Sequence, residues 1–230
     1  MKKKSALIIG ASRGLGFALV QEYLARDWLV VATVREKNGS ALHALAEQSS
    51  GNLDVETLDI TETNQILSLK RRLGRRTFDL LFVNAGVAND RYETIGEVST
   101  EEFTKVMVTN ALSPMRVVEN LEMNVEANGT IGVMSSGQGS VANNESGGFE
   151  VYRASKAALN TLMRSFAARH TNDKRALLLI APGWIRTDMG GPEARYSIDE
   201  SIPRVVDTIN AQASKSGLQY LDQFGEEVPW

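Results

Sequence analysis

The sequence predicts an α/β fold in which helices cover both faces of a doubly wound parallel sheet. Short runs rich in Leu, Ile and Val alternate with longer amphipathic stretches along the chain. The runs are apolar on both faces, as strands buried beneath two helical layers must be. Neither an internal repeat nor a linker rich in Pro, Gly or Ser divides the sequence, so we expect a single domain over residues 1–230.

The predicted elements alternate regularly. Strands are expected at residues 7–9, 29–34, 53–58, 80–83, 131–134 and 177–181, and helices near 15–26, 40–49, 62–73, 100–124, 152–170 and 198–213. Ser99 and Ser197 each open a Ser-x-x-Glu capping box, in which a hydroxyl and a carboxylate satisfy backbone amides reciprocally. Thr61 is expected to cap the helix after the third strand.

The composition excludes several kinds of site. The chain has no cysteine, which rules out disulfides, a thiolate nucleophile and a Cys-ligated metal. Its two histidines, His43 and His170, lie far apart and predict neither a His-based triad nor a metal site. The formal net charge of −3 provides no basic field for a nucleic acid or a membrane surface, so we expect neither partner.

The N-terminus superficially resembles a secretion signal, because three lysines precede an apolar run. That run is only about seven residues long and ends at Ser12, so a buried first strand explains it better. No other segment approaches the roughly 18 unbroken apolar residues of a membrane helix. The expected location is the cytoplasm.

The turn after the first strand has the spacing G-x-x-x-G-x-G and opens an amphipathic helix. Glycines let a backbone turn tightly and approach a pyrophosphate, whose charge then lies at the positive end of the helix. The spacing differs from the common G-x-G-x-x-G pattern, and a plain glycine-rich turn is the alternative. The predicted cofactor contacts in this turn are Gly10, Ser12, Arg13, Gly14, Leu15 and Gly16.

The end of the second strand indicates which dinucleotide binds. Enzymes selective for NAD usually place an acidic residue near the position of Thr33, and none is present. Arg35 and Arg13 would instead form a cationic clamp on a 2′-phosphate, unless Arg35 merely ends an edge of the sheet. The sequence therefore favours NADP(H) over NAD(H).

Two further strand ends supply predicted cofactor contacts. Asp59 and Ile60 follow the third strand, where Asp59 either accepts a hydrogen bond from the adenine amino group or serves as a turn or cap residue. The fourth strand ends in Asn84, Ala85 and Gly86, and small residues there let the backbone pass close to a ligand.

The strongest catalytic signal is the pair Tyr152 and Lys156 at the start of a helix. Their spacing of four places both side chains on one face. A neighbouring ammonium, together with the positive nicotinamide of an oxidised cofactor, favours the phenolate and lowers the pKa of a tyrosine from about 10, which suits proton exchange with a carbonyl or an alcohol. An ordinary helical Tyr/Lys pair is the alternative.

Two further polar positions complete the predicted catalytic set. A strand runs into Ser135 and Ser136, sixteen residues before Tyr152. A hydroxyl there can polarise a substrate oxygen, and Ser136 is favoured, although both serines also suit a turn. Asn110 interrupts a helical stretch, where Asn is unfavourable, which points to a buried functional role.

Together these motifs resemble the classical short-chain dehydrogenases/reductases, in order and spacing, over essentially the whole chain. The resemblance implies a Rossmann-like fold and hydride transfer between a nicotinamide and a carbonyl carbon. It further implies that Tyr152 protonates the oxygen, Lys156 holds the nicotinamide ribose and Asn110 anchors a water in a proton relay. The segment that holds the carboxamide would comprise Pro182, Gly183, Ile185 and Thr187.

The runs at residues 152–160, 182–191 and 228–230 are similar to one branch of this family, the C-factor/sniffer-like carbonyl reductases, which favour NADPH. Two departures are Val83, where the family usually has Asn, and a longer loop between Ser136 and Tyr152. The resemblance also implies a homodimer or homotetramer formed through the long helices. Candidates for lining the pocket, or for packing, are Gln138, Val141, Phe149, Trp184 and Met189.

Three functions remain open from the sequence. The first is an enzyme acting on a small-molecule carbonyl or alcohol. The second is an NADP(H)-loaded sensor or signalling factor of the same fold, against which the intact set of Asn110, Ser136, Tyr152 and Lys156 argues. The third, a sugar-nucleotide epimerase, fits less well because the chain is short and its glycine spacing differs.

Overall fold

One parallel sheet organises the protein in the computed structural model, which describes residues 2–36 and 39–230. Within these ranges the strands are β1 (Ser5–Ile9), β2 (Leu29–Val34), β3 (Leu53–Thr57), β4 (Phe78–Val83), β5 (Val125–Met134), β6 (Ala176–Ala181) and β7 (Gly217–Asp222). Their order across the sheet is β3-β2-β1-β4-β5-β6-β7, and each neighbouring pair is parallel.

Helices cover both faces of this sheet. They are α1 (Gly14–Ala25), α2 (Ala41–Gln48), α3 (Thr63–Leu73), α4 (Thr100–Met107), α5 (Ser113–Leu121), α6 (Glu150–Arg169) and α7 (Ile198–Ala211). Side chains of α3, α5 and α6 form one hydrophobic core with the sheet, and side chains of α1, α2 and α7 form the other. None of the described helices is long and apolar enough to cross a bilayer.

This architecture confirms the predicted doubly wound, Rossmann-like α/β fold. The chain reverses its direction across the sheet between β1 and β4, which are adjacent and paired through Ile9 and Val83. In open parallel sheets, a crevice forms at the carboxyl ends of the strands where the order reverses. The fold therefore places the principal cleft beside the turns that follow β1 and β4.

The prediction missed the seventh strand. β7 pairs with β6 from Ala176 opposite Gly217 to Ala181 opposite Asp222, at one edge of the sheet. Its sequence mixes apolar residues with Gly217, Gln219 and Asp222. Because an edge strand is covered less completely than a central one, β7 lacks the continuous apolar run of the central strands.

The helix expected over residues 100–124 is present but is not regular. The chain there forms α4, a π-helical segment at Val108–Leu112, α5 and a 3-10 turn at Glu122–Asn124. Pro114 lacks the N–H that would bond to the carbonyl of Asn110 in a regular helix. The widened turn at this point is a consequence of that missing donor.

The capping predictions have mixed outcomes. Ser197 forms the complete capping box with Glu200. At Ser99 the hydroxyl accepts a hydrogen bond from the amide of Glu102, 3.1 Å away, but the Glu102 carboxylate binds Lys105 instead. The cap expected at Thr61 is wrong, because α3 begins after Glu62 and the Thr61 hydroxyl donates to Asp59.

We expect Gly132→Ala to destabilise the sheet. A Cβ atom at Gly132 would lie 2.5 Å from the ring of Phe82, its fully buried partner on β4. Relief of this overlap should lower the free energy of unfolding in urea by about 2 kcal/mol. Gly96→Ala is the control, because its Cβ would be 4.0 Å from the nearest atom, in Thr94. Equal urea midpoints for the two variants would contradict the predicted overlap.

Candidate active site

The residues predicted to form the site lie at the carboxyl ends of the strands. Gly10 follows β1, Arg35 follows β2, Asn84 follows β4, Ser135 follows β5 and Pro182 follows β6. Because the strands are parallel, all these ends lie on one edge of the sheet. The topology therefore gathers segments that are up to 172 residues apart in sequence, from Gly10 to Pro182.

Close backbone contacts fix the glycine turn against the end of β4. Gly10 has φ +86°, and a Cβ atom there would lie 2.7 Å from the Cβ of Ala85. A Cβ atom at Gly16 would lie 2.1 Å from the carbonyl oxygen of Gly10. The Asn84 side chain donates to that same carbonyl at 3.0 Å. Larger residues at either glycine would separate the turn from β4.

The N-terminus of α1 is suited to an anion. Its N-cap residue is Arg13, and within the described part of the chain no side chain caps it and no acidic residue occupies its first turn. Gly14 has φ +56°, with open space where a Cβ would stand. Unsatisfied amides and the helix dipole attract phosphate groups at such a position. The turn thus fits the pyrophosphate of a dinucleotide.

Thr33 supports this turn from behind. It is 1% exposed, and its hydroxyl accepts a hydrogen bond from the amide of Gly10 at 3.0 Å. Its carbonyl accepts from the amide of Ala11 at 2.8 Å. Arg35 lies just beyond β2 and is exposed. A ribose phosphate beside the end of β2 would therefore meet Arg35 before it meets Thr33.

Arg13 forms an ion pair that the sequence did not predict. Its guanidinium lies 2.9 Å from the carboxylate of Asp188, in the segment after β6. Both side chains are largely solvent-exposed, so the ion pair contributes little to stability. The pair nevertheless joins the glycine turn to the segment predicted to hold the nicotinamide carboxamide.

Asp59 and Ile60 have structural contacts. One carboxylate oxygen of Asp59 accepts from the amide and the hydroxyl of Thr61, at 2.9 and 2.7 Å. This is the turn role that the sequence left open for Asp59. The Ile60 side chain is 5% exposed and packs in the core beneath α3.

The structure brings the predicted catalytic side chains together. The Lys156 ammonium donates to the carbonyl of Met134 at 2.9 Å and lies 5.8 Å from the centre of the Tyr152 ring. A Cβ atom at Gly86 would lie 3.5 Å from the Lys156 nitrogen and 3.3 Å from the Asn110 side-chain oxygen. One small cluster thus contains parts of β5, α6, the π-helical segment and the loop after β4.

Asn110 holds three of these segments in place. It is fully buried, and its side-chain oxygen accepts from the amide of Val87 at 2.8 Å. Its amide nitrogen donates to the carbonyl of Val87 at 2.7 Å and to the hydroxyl of Ser155 at 3.0 Å. These bonds satisfy both ends of the side chain, as the burial of an amide requires.

Burial shifts the pKa values of Tyr152 and Lys156 in opposite directions, because it disfavours the charged form of each side chain. Burial raises the pKa of Tyr152 to about 12; the neighbouring Ser136 side chain opposes this shift and Tyr220 adds to it. Burial lowers the pKa of Lys156 to about 8. Within the polypeptide, desolvation therefore outweighs the other influences on the pKa of Tyr152. The lowered pKa expected from the sequence depends also on the charge of an oxidised nicotinamide, and it stays a prediction.

The two adjacent serines have different environments. Ser135 is 2% exposed, and its hydroxyl donates to the side-chain oxygen of Asn160 at 2.7 Å. The Ser136 oxygen accepts from the amide of Gln138 at 3.1 Å, which leaves its hydrogen available to a ligand. The geometry therefore favours Ser136 over Ser135 as a hydrogen-bond donor to a substrate.

Among the candidate pocket residues, Phe149 contacts Tyr152 directly. The ring of Phe149, whose backbone is left-handed with φ +55°, stacks on the Tyr152 ring at 4.6 Å. The Arg91 guanidinium lies 5.8 Å from the Phe149 ring and donates to the carbonyl of Met189 at 3.2 Å. A cleft of about 410 Å³ lies between residues 90–92 and 188–193. The loop after β4 and the segment after β6 therefore meet beside the catalytic cluster.

The other pocket candidates differ in their contacts. The Trp184 indole donates to the carbonyl of Gly190 at 2.8 Å. Val141 is 72% exposed on the loop after β5. Gln138 is partly buried and contacts Ser136 through its backbone amide.

In the segment after β6, each residue predicted to contact the cofactor is buried, tightly packed or hydrogen-bonded within the protein. The carbonyl of Pro182 accepts from the Ser201 hydroxyl at 2.8 Å. Gly183 has φ +93°, and a Cβ atom there would lie 2.6 Å from the side chain of Gln223. Ile185 is buried, and the Thr187 hydroxyl accepts from the amide of Gly190 at 3.0 Å.

Sequence reasoning missed two residues of this region, Asn160 and Tyr220. Asn160 supports the turn after β5, where its amide donates to the carbonyl of Gly139 at 3.3 Å. The Tyr220 hydroxyl donates to the carbonyl of Ser136. A signal existed for Asn160, which lies on the same helical face as Tyr152 and Lys156 at spacings of eight and four. No local pattern marks Tyr220, which lies on the missed strand.

This combination of a doubly wound sheet, a glycine turn and a Tyr/Lys/Ser/Asn cluster defines a family. A model of the short chain dehydrogenases matches residues 4–196, and the chain belongs to that family of oxidoreductases. The resemblance predicted from the sequence is confirmed.

Three relatives indicate where the chain lies within the family. A short-chain dehydrogenase/reductase from Burkholderia multivorans, crystallised with bound NADP, is 58% identical and superposes with a TM-score of 0.97 over 100% of both chains. The C-signal protein of Myxococcus xanthus is 34% identical over 157 residues, 66% of this chain and 92% of that protein. The carbonyl reductase Sniffer of D. melanogaster is 25% identical, with a TM-score of 0.89 and full coverage of both chains. These similarities confirm the branch that the sequence predicted.

We expect Lys156→Met to stabilise the protein at neutral pH. The pKa of this lysine falls from 10.5 to about 8 on folding, so between these values the unfolded chain binds more protons and stability rises with pH. Below pH 8 Lys156 is charged in the folded protein, and the burial of that charge lowers the free energy of unfolding by its full amount. Its removal should raise the free energy of unfolding at pH 7 by about 2 kcal/mol, after allowance for the lost bond to Met134.

The measurement is urea unfolding of both proteins, without added cofactor, at pH 7 and pH 9.5. The increase in the free energy of unfolding caused by Lys156→Met should be smaller at pH 9.5, because Lys156 is mostly neutral in the folded wild-type protein at that pH. Lys174→Met, at an exposed position, is the matched control and should show no such pH dependence. A gain of the same size at both pH values would contradict the lowered pKa.

Proposed function

We propose that this protein is an NADP(H)-dependent carbonyl reductase, with Tyr152 as the proton donor. The observation that carries the proposal is the placement of the cluster of Tyr152, Lys156, Ser136 and Asn110 on the sheet edge that also holds the uncapped N-terminus of α1. One side of this edge fits a dinucleotide, and the other presents a phenol and a hydroxyl. The relatives with NADP and with carbonyl reductase activity support the assignment.

The residues that would hold the cofactor follow from the geometry. The turn from Gly10 to Gly16, with Ser12 and Leu15, would hold the pyrophosphate at the N-terminus of α1. Arg35, with Arg13, would bind the 2′-phosphate, and Asn84, Ala85 and Gly86 would border the cofactor at the end of β4. Lys156 would bind the nicotinamide ribose, and residues 182–187 the carboxamide. When bound, the cofactor supplies the hydride.

The chain's own residues would manage the proton. The Tyr152 phenol is protonated at neutral pH, because its pKa lies well above 7. It would donate this proton to a carbonyl oxygen as negative charge develops there. Ser136 would donate a hydrogen bond to the same oxygen and stabilise its developing charge. The Lys156 ammonium, 5.8 Å from the ring centre, would stabilise the phenolate that remains.

We expect Tyr152→Phe to abolish turnover while cofactor binding persists. The wild-type protein should oxidise NADPH in the presence of members of a panel of aldehydes, ketones and quinones, followed by nicotinamide absorbance. Loss of the proton donor should lower kcat by about 10²–10⁴-fold. Tyr23→Phe is the matched control, because Tyr23 is a buried tyrosine in the core on the opposite face of the sheet.

Retained activity in Tyr152→Phe would exclude Tyr152 as the proton donor. If the wild-type protein binds NADPH but oxidises none of it with any compound of the panel, the result would favour the sensor or signalling function. The C-signal relative makes that outcome worth measuring.

We expect Arg35→Ala to reduce the preference for NADPH over NADH. Removal of the guanidinium should weaken NADPH binding about tenfold, because a charge-assisted contact with the 2′-phosphate is lost. The affinity for NADH, which lacks that phosphate, should stay unchanged. Dissociation constants from nicotinamide fluorescence measure both, and Arg75→Ala, an exposed arginine after α3, is the control. An unchanged ratio of the two constants would place the 2′-phosphate elsewhere.

A further inference from the structure

The seventh strand reaches the catalytic cluster through one hydrogen bond. Tyr220, on β7, is 2% exposed, and its hydroxyl donates to the backbone carbonyl of Ser136. A buried phenol needs an acceptor, and many positions in a core would provide one. Here the acceptor belongs to the residue whose hydroxyl faces the substrate. The peptide plane that follows Ser136 is therefore fixed from the edge of the sheet.

The same carbonyl also takes part in the turn after β5. It accepts from the amide of Gly139 at 2.9 Å, which closes the 3-10 turn at Gly137–Gly139. Asn160 fastens the far end of that turn through the carbonyl of Gly139. Since the carbonyl of Ser136 keeps a partner when the tyrosine hydroxyl is removed, the turn can still form without it. Tyr220 can therefore act on the orientation of Ser136 without being required for the turn itself.

The Tyr220 ring is itself held firmly. The Trp230 ring packs against it with centres 5.4 Å apart, and the Arg164 guanidinium covers Trp230 at 4.6 Å. The amide of Val228 donates to the carbonyl of Tyr220 at 2.9 Å. The carbonyl of Trp230 accepts from the amide of Ala142, 3.0 Å away, in the loop that follows the turn. Tyr220 thus has the rigidity that a positioning residue needs.

We propose that Tyr220 is a positioning residue that acts through Ser136, holding the serine hydroxyl where it can donate to the substrate oxygen. This inference rests on the proposed carbonyl reductase function. The effect of Tyr220 arises because hydrogen-bond stabilisation of a transition state depends steeply on distance and direction, so a small shift of the serine lowers the rate.

A double-mutant cycle in the full-length protein tests this role. We expect Tyr220→Phe to lower kcat by about ten- to a hundredfold, with the dissociation constant for NADPH unchanged. In a Ser136→Ala background the same substitution should cause no further loss, because the hydroxyl that it positions is already absent. Tyr23→Phe serves as the control for removal of a buried phenolic hydroxyl.

Equal loss in both backgrounds would overturn the proposal, since Tyr220 would then act by another route than Ser136. An unchanged kcat in Tyr220→Phe would overturn it as well. Thermal unfolding of each variant shows whether a loss of activity reflects a loss of folded protein.

Amide hydrogen exchange provides a readout that does not depend on turnover. The amide of Gln138 donates to the hydroxyl of Ser136, and the amide of Gly139 donates to its carbonyl. The exchange rates of these two amides therefore report how firmly Ser136 is held. In Tyr220→Phe they should exchange about tenfold faster, while amides of β6 keep their protection. Unchanged exchange rates at both amides would overturn the positioning role of Tyr220, whether or not the wild-type protein reduces a carbonyl compound. A wild-type protein that reduces no carbonyl compound would instead reject the proposed function.

Discussion

The arrangement of the candidate site depends on the buried side chain of Asn110. Its two polar atoms bind both backbone groups of Val87 and the hydroxyl of Ser155, and so tie the loop after β4 to the helix that holds Tyr152 and Lys156. A buried amide that loses such partners costs about 1–3 kcal/mol per unsatisfied group. The π-helical turn, which forms where Pro114 has no N–H to donate, places Asn110 at this junction. Scaffold and site therefore share one set of hydrogen bonds.

Function and stability conflict in this cluster. Burial lowers the pKa of Lys156 and raises that of Tyr152, which means that the environment disfavours the charged form of both. A protonated lysine at neutral pH is consequently a source of instability that the rest of the fold offsets. Such local destabilisation is common where side chains serve a reaction rather than the fold. The Tyr152 phenol stays protonated at neutral pH, as a proton donor in carbonyl reduction requires, although burial makes it a weaker acid.

The proposed site also extends further across the sheet than its catalytic motif. The glycine turn is supported by Thr33 on β2 and by Asn84 beyond β4. The serine at the end of β5 is held by Tyr220 on β7. Because each support comes from a neighbouring or more distant strand, the geometry of the edge depends on the whole parallel sheet. A change at an outer strand can therefore reach the reacting groups without any contact with a ligand.

The sequence by itself determined the features that arise from local constraints. The apolar runs identified six of the strands, and the glycine spacing identified the turn after β1, because glycine adopts the left-handed backbone of Gly10 without steric cost and leaves room for the close contact at Gly16. A spacing of four placed Tyr152 and Lys156 on one helical face. The order of the motifs was enough to identify the family.

Only the tertiary structure decided the features that depend on distant partners. The edge strand β7 escaped detection because partial burial leaves no continuous apolar pattern. The pairing of Arg13 with Asp188 and the bond from Tyr220 to Ser136 join segments that no local spacing relates. The direction of the Tyr152 pKa shift was also inaccessible, since it depends on how much solvent the folded chain removes from the phenol. A sequence shows which groups are available, whereas burial and long-range contact decide their charge and orientation.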